Sequence, residues 1–405
     1  MAINVRYHQP AEPFRFAVPE WVELQNHSPD HELSLAKLRE MAESCGLGIS
    51  AVTPAQPFRG LQEMLTAHIE EGRLAGLDWY DQDRAAVASD PNRLHSNAKS
   101  VIALGVPFFT SPPAKPQDEP RGRVARYAWG ADYHKVLRKR MQALHERLEA
   151  AVGRTVESRL LSDTARIVDR AVSARAGLGW YGKHSCIIVP GYGSWVMLAE
   201  MIVDIVVEAS PPIDHDCGIC SICIDNCPTG AIVAPYMVDT PQCLSFQTIE
   251  QRGAIPMQLR SLMGDWVFGC DVCQDVCPYT SAAKQTFDKD FQPRELDNAF
   301  PRLHWLLTMT GAEFRQVFQG TAVLRAKRRG LARNAAVALG NLNDPASMAV
   351  LVDAVLGHDE PLVRSHAAWA LGQFGDRRSI TALDRARSTE TDTSVLSEIE
   401  AALDR

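Results

Sequence analysis

Two runs of cysteine are the residues of this 405-residue chain whose type and spacing could most directly do chemistry. The first run is Cys217, Cys220, Cys223 and Cys227, and the second is Cys270, Cys273 and Cys277. Each run contains Cys-x-x-Cys and ends in Cys-x-x-x-Cys-Pro. Thiolates at this spacing wrap an iron–sulfur cube, and in two-cluster ferredoxins the Cys before Pro serves the other cluster. The pattern predicts two clusters that carry electrons.

The second run is one cysteine short, so a cube built on it needs a ligand from elsewhere in the chain. Cys243, which lies between the runs, is the candidate. Crosswise ligation of the ferredoxin kind then assigns all eight thiolates. One 4Fe–4S cluster is held by Cys217, Cys220, Cys223 and Cys277, and the other by Cys270, Cys273, Cys243 and Cys227.

Zinc and disulfides are the two alternatives for these cysteines. Paired Cys-x-x-Cys hooks build structural zinc sites, but such sites need neither a third Cys nor the Cys-Pro endings. Disulfides belong to oxidising compartments, and the N-terminal residues contain no apolar segment typical of a signal peptide. Both alternatives are disfavoured. Cys45 and Cys186 lie outside the pattern and are expected to be small buried hydrophobes.

Composition places the chain among ordinary globular proteins, with 46% hydrophobic and 22% charged residues. Its length allows two or three domains. The longest apolar run, residues 195–207, contains Glu200 and Asp204 and is shorter than the roughly 20 residues that span a bilayer. A net charge of −7 argues against a surface coated with positive charge for nucleic acid. We expect a cytoplasmic protein without a membrane segment, because thiols stay reduced there.

The elements that must position the cysteines are predicted from periodicity. A helix is expected from Ser34 to about Gly46, a buried strand over residues 100–106, and a long amphipathic helix over residues 132–152. Residues 110–120 are rich in proline and predict a loop. Residues 186–203 predict a hairpin of buried strands around a Gly191-Tyr-Gly193 turn. The fold class is therefore α+β.

Two aspartates and three glycines lie between these elements. Asp163 follows a segment typical of a strand and Asp169 begins a helix, so each could be a simple helix cap. Gly177, Gly179 and Gly182 are compatible with a backbone that passes close to a flat ligand, although glycine clusters are weak indicators.

The last 75 residues contain an internal repeat. Gly340 and Asp344 recur as Gly372 and Asp376, an offset of 32 residues, within matching Ala-rich segments. Stacked helix pairs of the HEAT type have this character. Five cations stand just before and within the first repeat, at Arg325, Lys327, Arg328, Arg329 and Arg333. They are either a solvated helix face or a surface that contacts phosphates.

Four segments of the chain resemble epoxyqueuosine reductases. These are residues 168–183 with their Asp-Arg-Ala and Gly-Leu-Gly-Trp-Tyr-Gly-Lys motifs, residues 192–200, the cysteine pattern with Cys243-Leu-Ser-Phe, and residues 325–334. The resemblance covers nearly the whole chain after about residue 32, including the repeats.

The resemblance implies an oxidoreductase that reduces the epoxide of epoxyqueuosine at the wobble position of tRNA, the last step of queuosine biosynthesis. It implies cob(I)alamin as the reductant, fed by two 4Fe–4S clusters. The corrinoid signature Asp-x-His-x-x-Gly is absent, since Asp132-Tyr-His134 lacks the Gly, which agrees with base-off cobalamin. An N-terminal arm (1–31) would precede an α/β cobalamin-binding domain (32–208), a ferredoxin-like two-cluster domain (209–290) and a HEAT-like domain with the basic patch (291–405).

Residue roles follow by position from the same resemblance. Asp163 is expected to donate the proton, with a pKa raised by burial against the corrin. The expected cofactor-binding residues are Asp163, Lys183, Ser245, Asp271 and Val272. The expected tRNA-binding residues are Arg252, Lys327, Arg328 and Arg329. The cluster of Cys243 and Cys227 is expected to lie nearest the cobalt. We also expect an external one-electron donor of the flavodoxin or ferredoxin type, and a monomeric protein.

Four positions depart from the pattern of the family. They are Ala88, Ala165, His184 and Gln242, where Arg, Gly, Asn and Arg are usual. Two other functions remain conceivable. A reductive dehalogenase-like corrinoid enzyme would usually carry an export signal and lack terminal helical repeats. An electron-transfer ferredoxin module would have no use for a domain of about 200 residues before the clusters.

Overall fold

The computed structural model describes residues 31–404, which form two compact units. The first unit comprises residues 31–109, 134–240 and 272–286, and the second comprises residues 110–133, 241–271 and 287–404. The N-terminal arm predicted at residues 1–31 lies outside the described residues except for His31. Each unit is therefore assembled from segments that are distant in the chain.

The strands are short apart from three. In chain order they are β1 (Ile49–Pro54), β2 (Ser100–Pro107), β3 (Arg123–Val124), β4 (Ser158–Leu161), β5 (Trp180–Tyr181), β6 (Ile187–Ile188), β7 (Val196–Val203), β8 (Ile232–Ala234), β9 (Met237–Val238) and β10 (Trp266–Phe268).

Helices account for most of the remaining regular structure. In chain order they are α1 (Leu35–Ser44), α2 (Leu61–Glu70), α3 (Gln82–Ala88), α4 (Pro91–Leu94), α5 (Tyr133–Val152), α6 (Asp169–Arg175), α7 (Ile222–Asp225), α8 (Leu244–Ile249), α9 (Met257–Arg260), α10 (Val272–Asp275), α11 (Pro278–Ser281), α12 (Leu296–Ala299), α13 (Leu303–Thr308), α14 (Gly311–Phe318), α15 (Lys327–Leu342), α16 (Met348–Gly357), α17 (Pro361–Phe374), α18 (Arg377–Thr389) and α19 (Thr393–Leu403).

A four-stranded antiparallel sheet organises the first unit. Its strand order is β1-β2-β7-β4, so β2 and β7 occupy the centre. Nearly every residue of these two strands is buried, which explains why their sequences are continuous apolar runs instead of alternating ones. Glu200 is the exception, because it lies mid-strand on β7 and is fully buried.

The predicted helices of the first unit are confirmed. The Ser34 side chain accepts the Lys37 N–H as the cap of α1, and Gly46 follows the helix with φ of +74°, a conformation that favours glycine. The 20-residue helix α5 is amphipathic as predicted, and it buries its apolar face. The buried residues of that face are Leu137, Met141, Leu144 and Leu148.

The hairpin predicted at residues 186–203 is wrong in its pairing. β6 pairs with β5, whereas β7 joins the large sheet between β2 and β4. Only a single bridge from Val189 to Gly193 links the two arms of the turn. Both strands are buried as expected, but they belong to different sheets, because each finds a partner elsewhere in the chain.

Stacked helices build most of the second unit. α15, α17 and α19 pack in sequence, and the repeated glycines lie at their crossings. A Cβ on Gly340 would lie 2.9 Å from the Cα of Ala370, and one on Gly372 would lie 2.9 Å from the Cβ of Ala402. The repeat therefore requires glycine because adjacent helices approach closely there. Asp344 and Asp376 cap the elements that follow.

The α+β class is confirmed, with the mixed unit and the helical repeats both present. None of the helices between residues 31 and 404 has the length and apolar content needed to cross a bilayer.

Candidate active site

Asp163 lies in a turn directly after β4, between two helices that fix it. Its φ is +43°, a conformation that few residues other than glycine adopt. Its Oδ2 lies 3.2 Å from Nε2 of His134 on α5, and its N–H donates to Oδ1 of Asp169 on α6 at 3.2 Å. The surrounding structure thus holds the carboxyl in a strained but defined position.

The residues after Asp163 are tied to α3. The Arg84 side chain donates to the carbonyl oxygens of Ala165 at 2.5 Å and Thr164 at 3.4 Å. Its guanidinium also lies 4.4 Å from the Trp79 ring centroid. Arg166 pairs with Asp83 of the same helix. The loop that departs from the family pattern at Ala165 is therefore anchored by arginine contacts on both sides of that residue.

Two acidic side chains lie behind this loop. Asp169 is the first residue of α6, and burial is the main cause that raises the pKa of its carboxyl. Glu200 on β7 is fully buried, and burial followed by the charge of Asp169 raises its pKa well above the ordinary value. The carboxyl of Asp163 itself is 55% exposed. The predicted rise of its pKa depends on burial against the corrin, so it stays a prediction for the loaded enzyme.

The glycine set of residues 177–182 packs against the protein's own chain. A Cβ on Gly177 would lie 2.2 Å from the carbonyl oxygen of Pro211, and a Cβ on Gly179 would lie 2.5 Å from the carbonyl oxygen of Ile188. At Gly182 it would lie 2.6 Å from the His184 ring. These glycines are explained by close packing within the first unit, and the interpretation as a surface for a flat ligand is not needed.

His184 occupies one of the departing positions as a neutral, structural residue. It is buried, and this burial lowers its pKa to about 4. Its Nδ1 accepts the Cys186 N–H at 3.1 Å, which closes the turn between β5 and β6. Burial likewise raises the pKa of the neighbouring Tyr181 to about 12. Arg170 is exposed beside them and donates to the Ser185 oxygen at 3.1 Å.

The first predicted cluster has its four cysteines together in the first unit. Burial, followed by the charges of Cys217, Cys277 and Cys220, raises the pKa of Cys223 to about 11. Four neighbouring thiols of this kind cannot all ionise without a bound cation, which is the chemistry expected of cluster ligands. All ten cysteines of the chain are free thiols, so the disulfide alternative is excluded here.

Apolar side chains and short helices surround these thiols. Within residues 31–404, no group of three His, Cys, Asp or Glu side chains is placed to hold one metal ion. Cys217 and Cys277 pack against Trp180 and Ile188. The helices α7 and α10, which follow the two Cys-x-x-Cys starts, pack on each other.

Lys183 contacts the loop of the first cluster. Its Nζ donates to the Gly218 oxygen at 2.6 Å. Burial raises the pKa of the Cys217 thiol, and the backbone of Lys183 opposes this rise. His215 packs between the rings of Trp180 and Tyr279, with centroid distances of 4.4 and 5.6 Å. The sequence predicts Lys183 as a cofactor contact, and the structure places it beside the iron–sulfur ligands.

The cysteines of the other predicted cluster are divided between the units. Cys227 and Cys273 belong to the first unit, and Cys243 and Cys270 belong to the second. Cys243 precedes α8 as its cap residue, and Cys270 follows β10 against the core of the second unit. This ligand set stays a prediction.

The predicted corrin contacts have structural partners of their own. The carboxylate of Asp271 is buried and accepts the Arg126 N–H at 2.8 Å and its Nη1 at 3.2 Å. Ser245 is half-buried in the first turn of α8, and its carbonyl oxygen accepts the Thr248 hydroxyl at 3.2 Å. Val272 is the first residue of α10. Their roles toward a cofactor stay predictions.

The five cations of residues 325–333 separate into three kinds. Arg333 is fully buried and donates to the carbonyl oxygens of Gln247, Gln251 and Gly253 at 2.7–2.8 Å. Burial lowers its pKa to about 9, so it stays charged at neutral pH. Its role is to hold α8 and the chain after it against α15.

Acidic residues engage two of the remaining four cations, Arg325 and Arg328, and also the predicted tRNA-binding residue Arg252. Arg325 and Arg252 both contact Glu250, at 2.8 and 3.4 Å. Arg328 is mostly buried and contacts Asp359 at 2.5 Å. Lys327 and Arg329 are exposed, and no carboxylate of the described residues lies within ion-pair distance of either. These two residues are the part of the predicted surface that is available to phosphates.

Sequence reasoning missed the roles of Arg84, Glu200 and Arg333. The signal for Glu200 was present, because a lone acid in an otherwise apolar strand has to be accommodated by the fold. Arg84 and Arg333 gave no such signal. Their partners are backbone oxygens of loops about 80 residues away in the chain.

Three family models match the chain in separate regions. One described as epoxyqueuosine reductase QueG, DUF1730 matches residues 89–164, which include Asp163. One described as a 4Fe-4S double cluster binding domain matches residues 216–280, and one described as HEAT repeats matches residues 321–404. The two-cluster interpretation of the cysteines and the helical repeat are both confirmed.

Relatives with this arrangement are known. An epoxyqueuosine reductase from Xanthomonas campestris pv. campestris is 36% identical over 355 residues, 86% of this chain and 98% of the relative. A solved structure of an epoxyqueuosine reductase with an epoxyqueuosine-modified tRNA-Tyr stem loop is 33% identical, covers 91% of this chain and 97% of that one, and has a TM-score of 0.85. A Bacillus subtilis epoxyqueuosine reductase, with its catalytic Asp loop swung out of the active site, is 32% identical, covers 91% and 98%, and has a TM-score of 0.84.

Proposed function

The chain belongs to the epoxyqueuosine reductase family, and from that premise we propose that it reduces the epoxide of epoxyqueuosine in tRNA to give queuosine. The overall change consumes two electrons and two protons, and it releases the epoxide oxygen as water. The placement of Asp163 is the observation that supports this reaction best, because the strained turn leaves its carboxyl exposed where a substrate could reach it.

We infer that two 4Fe–4S clusters and base-off cobalamin are the cofactors. The clusters, held by the eight predicted cysteines, supply one electron at a time from an external donor of the flavodoxin or ferredoxin type. Cobalamin, when bound, supplies a strongly nucleophilic reduced cobalt for opening the epoxide. Lys183, Ser245, Asp271 and Val272 are the residues proposed to surround it. A cytoplasmic location and a monomeric state accompany the proposal.

The chain's own contribution to the chemistry is proton delivery. Asp163 would hold a proton at its carboxyl and give it to the epoxide oxygen as the ring opens, which avoids an unfavourable alkoxide. His134, whose Nε2 lies 3.2 Å from Oδ2 of Asp163, fixes the orientation of the acid. Arg84 on α3 holds Thr164 and Ala165, the residues after Asp163, so that the acid stays in place during turnover.

We propose that Lys327 and Arg329 contact tRNA phosphates, with Arg252 and Arg328 as second contributors. The first two are exposed and have no carboxylate partner within the described part of the chain, whereas the others are already engaged. Their position at the start of α15 places them beside the helix N-terminus, which also favours anions.

The test of the function is anaerobic reconstitution of the full chain with iron, sulfide and cobalamin. The loaded protein and a chemical reductant are then incubated with tRNA that contains epoxyqueuosine, and the nucleosides are separated and identified. Queuosine should replace epoxyqueuosine in amounts that exceed the enzyme added. Persistence of the epoxide, with both clusters and cobalamin shown spectroscopically to be loaded, would contradict the proposal.

A further inference from the structure

A groove lies between α5 and β4 of the first unit. Its volume is about 450 Å³, which is enough for a nucleotide-sized group. α5 contributes Arg138, Gln142 and His145, and the four residues of β4 line the other side. β4 is an edge strand of the sheet, so no further strand of the described residues covers its outer side. A ligand can therefore enter the groove from solvent.

The charged side chains that reach into this groove are mainly cationic. Arg138 and Arg159 are exposed, and no carboxylate of the described residues lies within ion-pair distance of either. Nε of Arg159 donates to the Leu94 oxygen at 3.2 Å, which orients its guanidinium. A guanidinium matches the oxygens of a phosphate in geometry as well as in charge. Two arginines without a compensating carboxylate thus point to an anionic ligand.

The acid nearest to the groove is already engaged. Glu149 Oε1 lies 3.7 Å from Nε2 of His145 and accepts the Val156 N–H at 3.1 Å. The other ring nitrogen of His145, Nδ1, lies 3.0 Å from the Ser158 hydroxyl. This carboxylate therefore holds the histidine and the chain before β4, and it does not neutralise the two arginines.

Both walls of the groove lead to the proton donor. His134, which lies 3.2 Å from Asp163, and the α5 residues of the groove are spaced by four, four and three positions. This spacing places them on one face of the helix. At 1.5 Å per residue, Arg138 lies about 6 Å from His134 along the helix axis. β4 ends at Leu161, two residues before Asp163. The phosphate of a nucleotide next to the reacting one can therefore reach the groove.

We propose that this groove binds a phosphodiester of the RNA strand next to the modified nucleoside. The subsite deepens the proposed function and rests on it for the identity of the substrate. Contacts to the RNA backbone carry no sequence information but fix the position of the strand, here the position of the epoxide relative to Asp163. The groove is separate from the cations of residues 325–329, which belong to the second unit.

The test uses a double variant, Arg138→Gln with Arg159→Gln, and a matched control. Lys139→Gln is the control, because Lys139 is the next residue of α5, is exposed and does not line the groove. Arg138→Gln alone breaks no hydrogen bond or ion pair of the described residues, so it serves if the double variant fails to fold. Circular dichroism and thermal melts compare the folding of all variants.

Binding of an anticodon stem loop to the loaded, unreduced protein is measured by fluorescence anisotropy at several salt concentrations. The double variant should bind about tenfold more weakly or worse, with a salt slope lower by about one unit. The control should stay within about twofold of the original protein. Unchanged binding in the double variant, or an equal loss in the control, would overturn the subsite.

Neutral methylphosphonates, placed singly on the phosphates around the wobble nucleoside, locate the contact. In the original protein one of them should weaken binding about tenfold, and in the double variant the same replacement should change binding less than about twofold, because the contact is already lost. Equal effects of that replacement in both proteins would contradict the contact. So would a stem loop in which no replacement weakens binding to the original protein.

Cobalamin carries the same chemical group, because its nucleotide tail contains a phosphodiester. Cobinamide lacks this tail, so spectroscopic titrations of the cobalamin-free protein with both corrinoids separate the two sources. The double variant should bind each corrinoid as the original protein does. A selective loss of cobalamin affinity, with stem-loop binding unchanged, would assign the groove to the cofactor and overturn the RNA contact.

These binding measurements need no turnover, so they distinguish the subsite from the proposed function. Coupled losses in a protein that never consumes the epoxide support the subsite and contradict the reaction alone. Normal consumption of the epoxide without coupling contradicts the subsite and leaves the reaction standing.

Discussion

Arg333 in the second unit and Glu200 in the first are both fully buried ionisable residues, and the protein surrounds them in opposite ways. Every nitrogen of the Arg333 guanidinium donates a hydrogen bond, to three backbone oxygens or to the side-chain oxygen of Asn334. Nearby, His366 is neutral because burial lowers its pKa well below the ordinary value, and both of its ring nitrogens are engaged. Among the described residues, neither carboxyl oxygen of Glu200 has a hydrogen-bond partner, and burial raises the pKa of this carboxyl well above its ordinary value.

The difference separates a buried charge that is fully hydrogen-bonded from a buried acid that keeps its proton. A buried cation with a complete set of acceptors fixes the loops that it bonds and gains nothing from titrating. A buried acid whose oxygens have no donor is held in its neutral form, because burial disfavours the charged form. The first arrangement stabilises α8 against the repeat.

The strongest effect is expected from a substitution in the first unit, at Asp163. Asp163→Asn removes the proton that the epoxide oxygen receives, so turnover should fall roughly 10²–10⁴-fold. The tRNA assay under single-turnover conditions measures it. Asp353→Asn, at an exposed position on α16, is the matched control and should keep normal turnover. Near-normal turnover in Asp163→Asn, with clusters and cobalamin loaded, would contradict its role as proton donor.

The contribution of the buried Arg333 to stability is tested by replacing it. Arg333→Met keeps much of the length of the side chain but leaves three carbonyl oxygens and Asn334 without their donors. The variant should lose about 3–5 kcal/mol of unfolding free energy, measured by denaturant titration. Arg329→Met, at an exposed position on the same helix, should stay within about 0.5 kcal/mol of the original protein. Similar decreases in both variants would mean that burial of Arg333 is not what matters.

The pH dependence of stability tests whether Glu200 keeps its proton in the folded protein. The folded pKa of Glu200 is raised above its ordinary value of 4.5, so the folded state holds a proton that the unfolded chain has released. Stability should therefore fall as pH rises above about 4.5, by at most about 1.4 kcal/mol per pH unit, until the folded pKa is passed. Glu200→Gln removes this decrease, so its stability relative to the original protein should increase from pH 5 to pH 8 in thermal melts. A constant difference would show that Glu200 is ionised in the folded protein.

The exposed cations of the second unit should give the weakest effect. Removal of one cation that binds a phosphate should lower the salt slope of tRNA binding by about one unit and weaken binding at all sequences alike. Lys327→Gln and Arg329→Gln together should therefore reduce the slope by about two units, measured by fluorescence anisotropy at several salt concentrations. Arg328→Gln should have less effect on the slope, because Asp359 and Glu360 already compensate its charge. Unchanged binding in the double variant would show that these residues form an ordinary solvated helix face and do not contact phosphates.

Local patterns predicted a large part of the fold. The cap at Ser34, the stripe of α5 and the helical repeat depend on neighbours within a few turns, and each has the expected form. The pairing of β6 and β7 was predicted incorrectly, because strand partners are chosen across the whole unit. Glycines 177, 179 and 182 were compatible with a backbone close to a flat ligand, but the atoms close to them belong to other segments of this protein.

Contiguous residues were enough to specify the iron–sulfur pattern, since the spacing of Cys-x-x-Cys and Cys-Pro is a local property of the chain. They were also enough to specify the repeat, whose glycines mark helix crossings. Which charges are buried, and what those charges contact, became visible only in the folded chain. Arg333 and Arg329 look alike in the sequence, and Glu200 looks like an interruption of an apolar strand. Carbonyl oxygens about 80 residues away in the chain accept hydrogen bonds from Arg333, whereas Arg329 stays in solvent and Glu200 is buried without a donor.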